Sequence, residues 1–143
     1  MKNFFLMVGR IGLSLYFIVT MVNIFLDWDV SHQVFIDSLC NWLNSPTLSA
    51  PLVKIFHLLL SLSWLCLVAG VILLGAGALL VLLGMKVRLG AALLICALLP
   101  ATLIMDAFWL YPDGKEAIMM QFFKNLSLLG GLLILISADG VAE

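Results

Sequence analysis

Four stretches of this chain are long and apolar enough to cross a bilayer, which leaves room for few other folds. A hydrocarbon core of about 30 Å takes roughly 20 helical residues. Such runs fall at about residues 3–26, 55–84, 87–109 and 117–138. Hydrophobic residues make up 64% of the 143 and charged residues 10%, too few to give a water-soluble domain a polar skin. In lipid the demands reverse: apolar side chains face outward, and every backbone group must be bonded within a helix. The expected fold is all-α, an integral membrane four-helix bundle, with residues 1–143 forming a single transmembrane domain in the lipid bilayer.

Lys2 followed by apolar residues looks superficially like a signal peptide. Arg10 interrupts the apolar run and no small-x-small cleavage site follows, so this segment is expected to stay as the first span. A net charge of −1 argues neither for nucleic acid nor for strong attraction to anionic lipid, and no nucleic-acid partner is expected. The three cysteines, Cys40, Cys66 and Cys96, form no Cys-x-x-Cys pair and read as small apolar filler.

Four crossings put both termini and the middle loop on one side. That side carries Lys2, Lys86 and Arg88, against Lys54 and Lys115 opposite, so both termini are expected in the cytoplasm. Trp28, Trp42, Trp109 and Tyr111 belong to the outer face, where amphipathic rings settle; Trp64, two turns into the second span, reads as packing. Between the first two spans, Val30, Val34, Phe35, Leu39, Trp42 and Leu43 recur at helical spacing, with His32, Gln33, Asp37, Ser38 and Asn41 largely elsewhere. The spacing predicts an amphipathic external helix, ended by Ser45-Pro46 and followed by a helix start at Ser49 and Pro51.

Gly70, Gly77 and Gly84 lie along one stripe of the second span; Gly90, Ala97 and Ala101 do so on the third, and Ser127 and Gly131 on the fourth. Small residues let helix backbones approach, the main source of association in lipid. Pro100 is expected to kink the third span and free the carbonyl of Cys96.

At about 1.5 Å of rise per residue, Asn23, Asp27, His57, Asp106, Gln121, Lys124 and Asn125 all fall in the outer half of the membrane, with Trp109 beside them. Asp106 and Lys124 match in depth and are expected to form an ion pair, with Asn125, Gln121 and Asn23 completing the hydrogen bonds. Three readings stay open: a pair that fixes helix register, a pocket for a ligand or quinone, and a proton pathway. Arg10, roughly 10 Å from the inner end, is read as an inner-side anchor. It would snorkel to headgroups or reach the end of the fourth helix near Ser137 and Asp139. His32 and His57 sit on different elements, so no metal site is expected. Nor is there a phosphate-cradling glycine loop or nucleophile elbow, so no catalytic residue is assigned and a self-contained enzyme is not expected.

Several motifs together resemble the DoxX family of small four-helix membrane proteins. They are Arg10 with Gly12, the run from Gly75 to Arg88, Phe108-Trp109, Phe122-Phe123-Lys124-Asn125-Leu126, and Leu129-Gly130-Gly131-Leu132. The chain departs from that pattern at Met21-Val22-Asn23-Ile24, where family members often carry Gly and Lys. It departs again at Asp106, where they often carry His. That family in turn resembles, more distantly, the surfeit-locus cargo receptors of the secretory pathway. The DoxX resemblance implies a bacterial-type inner membrane. It also implies a non-catalytic accessory or anchor subunit for a redox partner protein, with quinone as the candidate cofactor. The alternative is a carrier that binds a small molecule, lipid or cargo at its outer mouth, with residues 27–50 as lid. Oligomeric state stays open.

Overall fold

The computed structural model describes residues 1–139, with the side chains of Lys2 and Asp139 outside the description. All regular structure among the described residues is helical, in the order α1 (Lys2–Leu26), α2 (Trp28–Leu43), α3 (Ala50–Ser61), α4 (Ser63–Leu83), α5 (Val87–Met105), a 3-10 turn (Phe108–Leu110) and α6 (Lys115–Asp139). Four apolar helices are long enough to span a membrane: Asn3–Leu26, Ser63–Leu83, Val87–Leu110 and Lys115–Ala138. The chain is a multi-pass membrane protein, as its composition requires.

The second span is shorter than its apolar run. Residues expected as one crossing from about 55 divide at Leu62, whose φ of −105° and ψ of 19° leave the helical region. The Ser61 hydroxyl donates to the Leu58 carbonyl at 2.8 Å, sharing it with the Leu62 N–H at 3.0 Å. Such local side-chain bonds compete with the helical ladder. The apolar α3 therefore stands apart from the span that follows. Trp64 consequently sits at the mouth of α4 rather than two turns inside it; it is 56% exposed and meets Trp28 edge-on at 6.3 Å.

The expected external helix is present as α2, entered from α1 through a break at Asp27 alone. Its buried face is Phe35, Ser38 and Leu39. Val30 and Val34, placed on that face by spacing, are 63% and 46% exposed, so the packed stripe is narrower than the apolar one. Ser38 is tolerated inside because its hydroxyl donates to the Val34 carbonyl at 2.7 Å. The start of α3 follows expectation, with extended Ser49 as cap residue and Pro51 in the first turn, although Ser49 makes no side-chain cap bond.

Packing is concentrated in the inner half of the bundle. Phe17, Ala78, Val81, Val87, Ala91, Leu94, Leu98, Leu132 and Leu135 form one buried cluster there, drawn from all four spans. Gly77 and Gly90 set the closest approach of α4 to α5: a Cβ on either would lie 2.9 Å from the other's carbonyl oxygen. Ser127 and Gly131 do not work as a pair: Gly131 faces Leu13, but Ser127 is exposed and its hydroxyl donates to the Phe123 carbonyl. Toward the other end, Phe35 and Leu39 of α2 are buried, and two of the clefts there are lined in part by α2.

Candidate polar cleft under the external helix

The larger cleft encloses about 790 Å³ between α2, the end of α5, the turn after it and the start of α6. Asp37, Ser38 and Asn41 line it from α2, Asp106 from the end of α5, Tyr111 from the turn and Gln121 from α6. Asp37 and Asn41 stand one helical turn apart, so both reach the same opening. The Asn41 amide donates to the Tyr111 hydroxyl at 3.0 Å, tying α2 to the turn below it. The Trp42 indole N–H donates to the Ile104 carbonyl at 3.1 Å, satisfying an acceptor that the end of α5 leaves open. Trp42 also packs on Phe56 of α3 and on Trp109, with ring centroids 5.7 and 6.0 Å apart. Trp109 thus belongs to an aromatic belt with Phe108 and Phe122, and not to the polar lining.

A second cleft of about 440 Å³ lies between α1, α2 and α6, lined by Tyr16, Thr20, Asn23, Asp27, Ser31, Gln121 and Lys124 among others. Gln121 lines both clefts. Most of the polar residues expected to converge are therefore gathered at the end of the bundle that carries α2, but divided between two openings.

The expected Asp106–Lys124 ion pair is not formed. Asp106 instead accepts from the Asn125 amide at 2.6 Å. Lys124 donates to the Gln121 side-chain carbonyl at 2.7 Å and lies 5.3 Å from the Tyr16 ring centroid. Adjacent residues on a helix point about 100° apart. Asn125 is buried, on the side of α6 that meets Asp106, whereas Lys124 is exposed, toward α1. His57 also departs from the expected cluster: it is exposed on α3 and lines neither cleft.

Arg10 corrects a third expectation. Its guanidinium donates to the Val81 carbonyl from Nε at 3.4 Å and Nη2 at 3.2 Å, so it caps the end of α4, not of α6. The physical reason for the anchor stands, since helix C-termini present unpaired carbonyls and partial negative charge. Of its two expected neighbours on α6, the Asp139 side chain lies outside the described residues. The left-handed Gly84 (φ 73°) is what lets the guanidinium approach, because a Cβ there would collide with it.

Asp37, Asn41 and Tyr111 are functional candidates that depth reasoning misses. Their signal is the polar face of the amphipathic external helix and a tyrosine expected among the rings at the outer face. Among the described residues, no lysine, arginine or histidine lines the larger cleft. Its carboxylates, amides and hydroxyl suit a ligand that donates hydrogen bonds or carries positive charge.

Comparison with known proteins bears on the same elements. The family model described as the SURF4 family matches residues 49–142, which takes in α3 to α6. The Surfeit locus protein 4 homolog of Drosophila melanogaster is 38% identical over 61 residues. That segment covers 41% of this chain and 23% of the relative, so the chain matches less than a quarter of the relative's length. No solved structure matches. These findings overturn the DoxX resemblance. The bacterial-type inner membrane and the redox-anchor role were implied by that resemblance and lose their basis with it.

Proposed function

The chain belongs to the SURF4 family, and from that premise we propose that it is a non-catalytic carrier whose outer cleft binds a hydrogen-bond-donating or positively charged group. The cleft lies on the side opposite Lys86 and Arg88, which we place in the cytoplasm with both termini. On that reading α2 is the lid, held by Trp42 and Asn41. The observation that carries the proposal is the lining itself: Asp37, Asn41, Asp106, Tyr111 and Gln121 come from three helices and a turn onto one opening of about 790 Å³.

Native mass spectrometry of gently extracted protein tests this, with Ala117→Trp as comparison. Ala117 is exposed and lines the cleft, so an indole there narrows it. The wild-type chain should carry a bound species that the variant lacks at equal yield. Indistinguishable spectra would count against the carrier reading.

A further inference from the structure

Met105 lines two cavities of opposite character. On one side is the polar cleft. On the other is a groove of about 340 Å³ between α4 and α5, bordered by Phe35 of α2, Cys66 and Gly70 of α4, and Cys96, Ala97 and Ala101 of α5. No side chain lining the groove contains nitrogen or oxygen. The groove exists because α4 and α5 are in tight contact at Gly77 and Gly90, while the side chains farther out are too small to fill the space. A Cβ added to Gly70 would meet nothing within 4 Å.

Its dimensions say what fills it. From Cys96 to Met105 the helix rises about 14 Å. That is close to half of a hydrocarbon core of about 30 Å, the depth of one leaflet. Atoms lining a void lose their dispersion contacts, so an apolar groove open to lipid is filled by hydrocarbon. The chain's outer end then arrives at Met105, an unbranched side chain that yields to a neighbour, and beyond Met105 are Asp106 and Asp37.

We propose that the cleft and the groove form one site for a single-chain amphiphile with a primary ammonium head. This rests on the reading of the cleft as a binding site and names its ligand class. The chain lies along Gly70, Ala97 and Ala101, and Met105 packs where chain meets head. The ammonium has three donors, and the Asp37 and Asp106 carboxylates offer acceptors on the cleft wall; the Tyr111 hydroxyl already accepts from Asn41, and the Gln121 carbonyl from Lys124. A quaternary ammonium would call for an aromatic cage, and Tyr111 is the one aromatic residue lining the cleft among the described residues. An anionic head would face two carboxylates with no basic residue on the same wall.

The test uses the full chain in phosphatidylcholine nanodiscs and a long-chain primary amine with a diazirine on its chain. After illumination, adducts should map to residues 66–74 and 96–105. Unlabelled long-chain amine should compete roughly tenfold better than the alcohol or carboxylate of equal length. Asp37→Asn, at an exposed position, should remove most of that preference while leaving adducts in the groove. Gly70→Leu should remove the groove adducts, and Ala101→Leu gives the same reading if the first variant fails to fold. Adducts spread over lipid-facing residues such as Leu79 and Leu133, or equal competition by all three chains, would overturn the proposal. A short water-soluble amine separates it from the broader reading through Cys40, which lines the cleft. If that amine shields Cys40 from maleimide while the long-chain probe ignores the groove, the amphiphile falls and the binding cleft stands. If neither binds, both fall.

Discussion

The Asn125 amide donates to the Asp106 carboxylate at 2.6 Å, joining the end of α5 to the buried face of α6. The bond gives the half-buried carboxylate an amide partner, while Lys124 on the neighbouring face of α6 acts on it only through space. Removing the amide leaves an acceptor under-satisfied, which costs more than the bond itself contributes. Asn125→Leu should therefore destabilise the bundle by about 1–3 kcal/mol. Lys124→Leu, on an exposed site with a partner one turn away, should change stability little. Reversible unfolding in bicelles compares the two; equal losses would restore the case for an Asp106–Lys124 pair.

Gly77 and Gly90 make a sharper steric prediction. Gly77→Ala sets a methyl against backbone and against Leu94, and should cost about 1–3 kcal/mol through separation of α4 from α5. At Gly130 an added Cβ meets nothing within 4 Å, so Gly130→Ala should be neutral or slightly stabilising. Thermal melts of the two variants in one detergent check the contrast.

Arg10 caps α4 from a position that sequence assigns to a different helix. Arg10→Leu removes both side-chain donors to the Val81 carbonyl, leaves it only the Gly84 N–H, and should lower stability by about 1–2 kcal/mol. Hydrogen exchange should report the loss at the end of α4 and the turn that follows, not at the end of α6. The reverse pattern would contradict the assignment.

Trp42 ties α2 to the bundle by one indole bond and two ring contacts. Trp42→Phe keeps an aromatic ring there and deletes the bond, a change of about 1 kcal/mol. Amides of α2 should exchange faster in the variant while those of α4 and α5 stay at wild-type rates. Uniform acceleration would mean that α2 is part of the cooperative core and not a separable lid.

Hydropathy alone places α1, α5 and α6 to within a few residues, because lipid forces long apolar helices. The break at Leu62 escapes that reasoning: α3 is as apolar as a span, and the only local mark of the break is a serine hydroxyl that shares the Leu58 carbonyl. At the site, height along each helix can be read from residue rise, and Asp106, Gln121, Lys124 and Asn125 do fall at one level. Azimuth cannot be read the same way when neighbouring positions are both polar. Lys124 and Asn125 are such a pair, and Asn125 is the one turned inward. The acidic and amide residues of α2 were visible as a polar face, but only tertiary contact places them over Asp106.

Photo-crosslinking from Ile118, inside the cleft, beside Leu133, on the lipid-facing surface of α6, asks whether the outer cleft is a binding site in native membranes. A benzophenone side chain at Ile118 should yield a discrete adduct that disappears on addition of Ala117→Trp, while Leu133 yields bulk-lipid products alone. The same lipid products from both positions, unaffected by Ala117→Trp, would contradict the account.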